Sequence, residues 1–188
     1  MTFFGESTLL RDAGLSADVE RLTSSGGRID FSRVEINSYH ASVVADFLRH
    51  QLLEQRTSFT LETVMSSPDK VALLARAQSL GYRTYLYFIA TDDHEINISR
   101  VENRVRQGGH GVPKHKIVSR YHRSIGLLKK AVGHANRAFI FDNSGHDKDR
   151  VWLAEITDGR TIEIKARQIP EWFSRAVLRD ATPAPAQE

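Results

Sequence analysis

The sequence predicts an α/β fold: a parallel sheet with flanking helices and a C-terminal β-hairpin. Three observations point there. Runs rich in β-branched and aromatic residues stand at 58–63, 82–90 and 138–143. Segments with helical periodicity and recognisable start and stop signals lie before and between them. The resulting order is helix, strand, helix, strand, helix, helix, strand, the alternation that builds parallel sheets with right-handed crossovers.

Residues 1–33 are weakly patterned, with a turn at Ser24-Ser25-Gly26-Gly27. Asn37 or Ser38 caps a helix running to about Glu54, and Val44, Phe47, Leu48 and Leu52 form its apolar stripe. The run Ser58-Phe59-Thr60-Leu61-Glu62-Thr63 reads as a short strand. Pro68 opens a helix that Gly81 ends. The segment 82–90 is the best strand, and its continuously apolar second half predicts cover on both faces. Asp92 or Asp93 caps the next helix, which has Ile98, Val101 and Val105 as its buried stripe and Gly108-Gly109 as its stop. Pro113 opens a further helix to about Val132, with the strand at 138–143 after it. Two runs, 151–156 and 161–165, flank Asp158-Gly159, a strong hairpin signal. A closing helix over 170–178 should turn Trp172 and Phe173 inward. Residues 1–180 are thus expected to form a single domain, with 181–188 a frayed tail.

The chain has 188 residues, of which 40% are hydrophobic and 26% charged. That composition excludes a chain disordered throughout. The absence of cysteine excludes a disulfide framework, a thiolate zinc site and a cysteine nucleophile. No run approaches the roughly 18 apolar residues of a membrane span, and the first residues lack the pattern of a secretory signal. A soluble, cytoplasmic protein is the expectation. The histidines match no standard metal-ligand spacing, and no Gly-x-Ser-x-Gly elbow supports a serine hydrolase.

Net charge is only +3, yet residues 100–137 hold ten Lys or Arg against one acid, Glu102. Such a concentration points to an anionic partner, either small-molecule phosphate or nucleic acid. Arg100 and Arg104 share a helix face, as do Lys116, Arg120 and Arg123. Between the two helices runs Gly108-Gly109-His110-Gly111-Val112-Pro113. Arginine grips phosphate oxygens in a fixed geometry, so the pair reads as a lid over a polyphosphate or as an unliganded helical hairpin. Glu62 and Thr63 fall at the carboxyl end of an expected strand, where open α/β sheets bind ligands. Asp142-Asn143-Ser144-Gly145 either borders a nucleotide pocket or is simply a turn.

The run from Ser58 to Gly145 resembles the zeta-toxin-like family of P-loop kinases. The residues carrying the resemblance are Phe59-Thr60-Leu61-Glu62-Thr63, Gly81-Tyr82-Arg83, Arg100-Val101 with Arg104-Val105, Gly108-Gly109-His110 with Val112-Pro113, Arg120-Tyr121 with Arg123-Ser124, and Phe141-Asp142-Asn143-Ser144-Gly145. The resemblance implies a P-loop kinase-like sheet and a phosphotransferase that uses ATP or GTP with Mg²⁺ on a hydroxyl of a small-molecule acceptor. Zeta toxins proper phosphorylate UDP-N-acetylglucosamine; for this chain the resemblance carries the kinase class rather than that sugar. It further implies that Glu62 and Thr63 line the acceptor side, with Glu62 among the catalytic groups. Arg104 and Arg120 would hold the transferring phosphate, Arg106 and Arg123 would support them, and Asp142 and Asn143 would border the base. An antitoxin protein is an implied partner, and a membrane is not. A nucleic-acid-binding or partner-binding remnant of a toxin-antitoxin system is the alternative.

One departure is large. The family's Gly-x-x-x-x-Gly-Lys-[Ser/Thr] run, which cradles phosphates, does not occur in the sequence; the nearest string is Gly5-Glu6-Ser7-Thr8. The segment 3–15 resembles the stretch after the first strand in longer relatives. The expectation is therefore an N-terminally incomplete kinase sheet, weak or inactive as it stands. A groove should separate the strands at 58–63 and 82–90, where the loop-bearing strand would lie.

Overall fold

The structure is a computed structural model that describes residues 2–145 and 150–179. It divides into two compact units, Met1–Leu61 and Glu62–Glu188.

The first unit holds three short helices, α1 (Thr2–Gly5), α2 (Thr8–Asp12) and α3 (Ser16–Arg21). A small antiparallel hairpin of β1 (Thr23–Ser25) and β2 (Arg28–Asp30) comes next, and then the long helix α4 (Ser38–Glu54). The hairpin turns at Gly26 and Gly27, both at positive φ, within the turn expected from the sequence. Asn37 caps α4: its side chain accepts from the Tyr39 N–H at 3.0 Å, while the Asn37 N–H donates to His40 Nδ1 at 3.3 Å. His40 Nε2 lies 3.3 Å from Asp18 Oδ2, which brings α3 and α4 together. Phe4, Leu10, Leu22, Val34 and Val43 form the core of this unit. The buried face of α4 is thus rotated from the expected stripe. His40, Val43 and Leu53 are buried, whereas Leu48 is 52% exposed. A buried histidine paired to a carboxylate is invisible to a pattern that counts only apolar residues.

The second unit is a four-stranded mixed sheet with helices against it. Its elements are α5 (Pro68–Ser79), β3 (Tyr85–Ala90), α6 (His94–Arg106), α7 (Lys114–Gly133), β4 (Arg137–Asp142), β5 (Val151–Thr157), β6 (Thr161–Ile164) and α8 (Glu171–Phe173), which continues as a π-helical turn over Ser174–Leu178. The strand order is β3-β4-β5-β6. β3 and β4 are parallel, and β5 and β6 add antiparallel. This is the α/β, P-loop kinase-like arrangement that the alternation predicts, with the hairpin joined to the sheet rather than appended to it. The Asp158-Gly159 turn packs against the end of α7. A Cβ on Gly159 would lie 2.9 Å from the Gly133 Cα, so this position admits only glycine.

Three expectations about strands and stripes are corrected. Residues 58–63 form no strand. A strand persists only where a neighbour completes its ladder, and among the described residues no strand pairs with this connecting segment. Its polar alternation leaves Thr60, Leu61, Glu62 and Thr63 exposed. Among the described residues β3 is instead an edge of the four-stranded sheet, so the expected pair of strands is not formed. β3 itself begins at Tyr85 rather than Tyr82, and it is covered on one face only. Phe88 is buried, while Tyr85, Tyr87 and Ile89 are 46%, 64% and 42% exposed. On α6 only Ile98 is buried, and Val105 is exposed because the helix runs past the sheet into the glycine turn. The expected tail at 181–188 lies outside the described residues.

The core of this unit gathers Val71, Phe88, Leu128, Ala131, Val132, Ala138, Ile140, Leu153, Ile156, Trp172, Phe173 and Val177. α5, α7 and α8 bring their apolar faces to one face of the sheet. No helix among the described residues is long and apolar enough to cross a membrane.

Candidate functional site at the strand ends

Because β3 and β4 run parallel, their carboxyl ends emerge on the same edge of the sheet, the edge where open α/β sheets bind ligands. Two polar turns meet there: Thr91-Asp92-Asp93 after β3, and Asn143-Ser144-Gly145 after β4. The Asn143 N–H donates to the Ala90 carbonyl at 2.7 Å, extending the ladder by one bond. The Asp92 N–H donates to Ser144 Oγ at 2.7 Å. Ser144 in turn gives its N–H to Asp142 Oδ1 at 2.9 Å and its hydroxyl to Oδ2 at 3.0 Å. The Trp172 indole N–H, arriving from α8, donates to the same Oδ2 at 2.8 Å. The Asp142 carboxylate is thereby fixed by three donors from two elements.

α6 and α7 lock the other turn. Asp93 caps α6 by accepting the Glu95 N–H at 2.9 Å. Thr91 Oγ1 donates to the Asp93 carbonyl and accepts from Asn97 Nδ2. The Tyr121 hydroxyl, from α7, lies 2.9 Å and 3.0 Å from the Thr91 and Asp92 carbonyls and donates between them. Burial pushes the Tyr121 phenol above its ordinary pKa, and Asp92, Asp93 and Asp142 add to the rise. An acid with a raised folded-state pKa contributes stability that is complete below the unfolded value, about 10, and is lost as pH rises through the folded value. Unfolding free energy should therefore fall above about pH 10 more steeply in the parent than in Tyr121→Phe. Denaturant titrations of both proteins at pH 8 and pH 11 check this, and parallel losses would contradict it.

Arg100, on α6, ties that helix to the turn after β4. Its guanidinium donates to the Asn143 carbonyl at 2.7 Å and to the Gly145 carbonyl at 3.2 Å. It is thus occupied by backbone oxygens, not presented as a phosphate grip. Beside Asp142 opens a groove of about 530 Å³, lined by Val151, Leu153 and the segment 166–170, which includes Arg167 and Gln168.

The other residues singled out in the sequence lie mostly on the two cationic helices. Arg104 and Arg106 are on the last turn of α6, both exposed. Arg104 Nε donates to the His110 carbonyl at 3.1 Å, so the side chain folds back over the glycine turn. Gly109 makes that possible, since a Cβ there would sit 2.5 Å from Arg104 Cγ. Arg106 donates to the Asn103 side chain. Arg120 is half-buried on α7, and Arg123 Nε donates to the Ser119 carbonyl at 3.2 Å. Lys114 and Glu102 pair at 2.9 Å across the turn between the helices. Glu62 is exposed in the connecting segment, and the Thr63 hydroxyl accepts the Met65 N–H at 3.0 Å. The structure brings Asp142 and Asn143 into one cluster with Arg100, Tyr121 and Trp172. Glu62 and Thr63 take no part in the hydrogen bonds of that cluster. Sequence reasoning misses Tyr121 and Trp172 as site residues because their hydrogen bonds join segments about 30 residues apart. The only local signal is the tyrosine between Arg120 and Arg123.

A sheet whose parallel strands end in a fixed carboxylate cluster, next to two cation-bearing helices, is the arrangement of a P-loop kinase-like protein. The zeta toxin family profile matches residues 32–154, and the chain belongs to that family. The match begins in the first compact unit and ends in β5. A protein of Haemophilus influenzae described as uncharacterized is 28% identical over 74 residues, which are 39% of this chain. The chain spans 53% of the length of that relative. No solved structure matches.

Proposed function

We propose that the chain is a nucleotide-dependent phosphotransferase domain of the zeta-toxin type, acting on a hydroxyl of a small molecule with ATP or GTP and Mg²⁺. The observation that carries this reading is the strand-end cluster of Asp142, Asn143, Ser144 and Tyr121. It lies beside a groove wide enough for a nucleobase and is adjoined by the cationic helices α6 and α7. In this reading Asp142 and Asn143 border the base. Arg104 and Arg120 hold the transferring phosphoryl group, with Arg106 and Arg123 adding positive charge, and Glu62 and Thr63 serve the acceptor side. Among the described residues no three carboxylate or imidazole groups converge on a metal position. Since the family match crosses from one compact unit into the other, we read residues 1–180 as one family domain acting in the cytoplasm, with an antitoxin protein as partner.

Phosphoryl transfer is almost wholly positioning and charge stabilisation. The 188 residues contain no Gly-x-x-x-x-Gly-Lys-[Ser/Thr] run, so the backbone N–H cradle that normally grips the phosphates has no counterpart in them. Calorimetric titration should accordingly give a dissociation constant for Mg-ATP well above the ~1 μM range, worth about 8 kcal/mol. A micromolar value would show that the cationic helices alone form a complete phosphate site. The function is tested by fusing a loop-bearing strand ahead of Met1 and measuring transfer from γ-labelled ATP or GTP to sugars, nucleosides and nucleotide sugars. A fusion that binds nucleotide yet phosphorylates none of them would refute the reading.

A further inference from the structure

The groove of about 530 Å³ beside Asp142 has opposite hydrogen-bonding character on its two sides. On one side the Asp142 carboxylate, half-buried at the end of β4, is held by donors from Ser144 and Trp172. Oδ2 accepts two of those bonds and Oδ1 accepts one, so among the described residues Oδ1 keeps an open acceptor position. On the other side Arg167 and Gln168 are exposed, and neither has a hydrogen-bond or ion-pair partner among the described residues. Leu153, Ile169 and Pro170 supply apolar surface between them. A flat ligand carrying donors and an acceptor along one edge meets both sides at once.

We propose, on the basis of the nucleotide reading above, that this groove selects guanine over adenine, with Asp142 and Gln168 reading the base, so that GTP is the phosphoryl donor. The edges of the two bases decide. Guanine presents its N1–H and its N2 amino group side by side, with the O6 acceptor next to them. One carboxylate oxygen can accept from both donors while O6 takes the Gln168 amide, the kind of edge readout by which proteins tell bases apart. Adenine has a single donor group on that edge, its N6 amino group, and ring-nitrogen lone pairs lie on both sides of it. Turned toward Asp142, adenine sets one of those lone pairs against the carboxylate. Three donors hold the carboxylate in place, so it cannot swing aside to relieve the repulsion. A fixed polar group left badly paired discriminates more strongly than a change in apolar shape.

Ligand-detected NMR titration of the 188-residue chain with GMP, IMP, AMP and XMP tests this. GMP should bind about tenfold more tightly than AMP, the worth of one hydrogen bond to a charged group. IMP, which lacks the N2 amino group, should fall between them. XMP should bind most weakly, because a carbonyl replaces that amino group and faces the carboxylate. Gln168→Glu, at an exposed position, should erase the preference, since it sets a second anion against O6 yet accepts from the adenine amino group. Equal binding of GMP and AMP overturns the proposal, as does XMP binding as well as GMP. So does an unchanged GMP-to-AMP ratio in Gln168→Glu, or no binding of any of the four at millimolar concentrations. Failure of the phosphotransferase reading has a different signature: the guanine preference holds, and the loop-bearing fusion transfers no phosphoryl group. A fusion that uses ATP and GTP equally well overturns guanine selection and leaves the phosphotransferase reading in place.

Discussion

Phe173→Ala should remove about 3–5 kcal/mol from the stability of the second unit, the range for truncating a fully buried aromatic side chain. Phe173 is 0% exposed. It stands in α8, held edge-on to Trp172 with ring centroids 5.8 Å apart, among the core residues that α7 and the sheet contribute. A single domain is stable by only about 5–15 kcal/mol in total, so the variant forfeits roughly a fifth of it or more. Trp172 carries the consequence to the site, because its indole N–H is one of three donors fixing Asp142. Both tryptophans of the chain, Trp152 and Trp172, lie in the second unit. Fluorescence-monitored urea unfolding therefore reports that unit alone. The midpoint should fall with an unchanged slope. A loss below about 0.5 kcal/mol, the range of an ordinary surface change, would mean that α8 does not close the core.

The features legible in the sequence are those with local signals. Capping and turn chemistry act within four residues, and here sequence and structure agree. Asn37 and Asp93 cap their helices, Pro68 and Pro113 open theirs, and Gly81, Gly108 and Gly159 sit at positive φ where the chain reverses. The residues at 58–63 mislead because a strand is a relation between two segments. β propensity supplies the residues but not the partner. The same limit explains β3, whose apolar run matches a doubly covered strand although the face of Tyr85 and Tyr87 is open. Asp142 is legible as a site residue from its place just past an apolar strand. The partners that fix it, Trp172 above all, come from elements that only the tertiary fold brings near. Arg100 shows the opposite failure. Its spacing from Arg104 suggests a shared phosphate grip, but two backbone carbonyls capture it first.

In a loop-bearing fusion, Arg104→Ala or Arg120→Ala should each lower turnover on the order of 10³-fold while changing nucleotide affinity far less. Negative charge spreads over the transferring phosphoryl oxygens as the transition state forms, so a cation placed there contributes mainly at that moment. The structure supplies a control that keeps the charge and alters only its position. Arg104 reaches back over the glycine turn because Gly109 has no Cβ; the missing atom would lie 2.5 Å from Arg104 Cγ and 3.0 Å from its carbonyl oxygen. Gly109→Ala must therefore push the Arg104 side chain off this path without removing its guanidinium. If placement is what matters, Gly109→Ala should lose much of the turnover that Arg104→Ala loses, again with kcat falling and KM for nucleotide little changed. If only the local positive potential matters, Gly109→Ala should behave like the parent, since the formal charge of α6 and α7 is the same. Steady-state kinetics on the three variants separates these outcomes. Turnover within about threefold of the parent in both arginine variants, less than 1 kcal/mol of transition-state stabilisation, would remove α6 and α7 from the reaction altogether. The cationic segment would then need another anion to account for it.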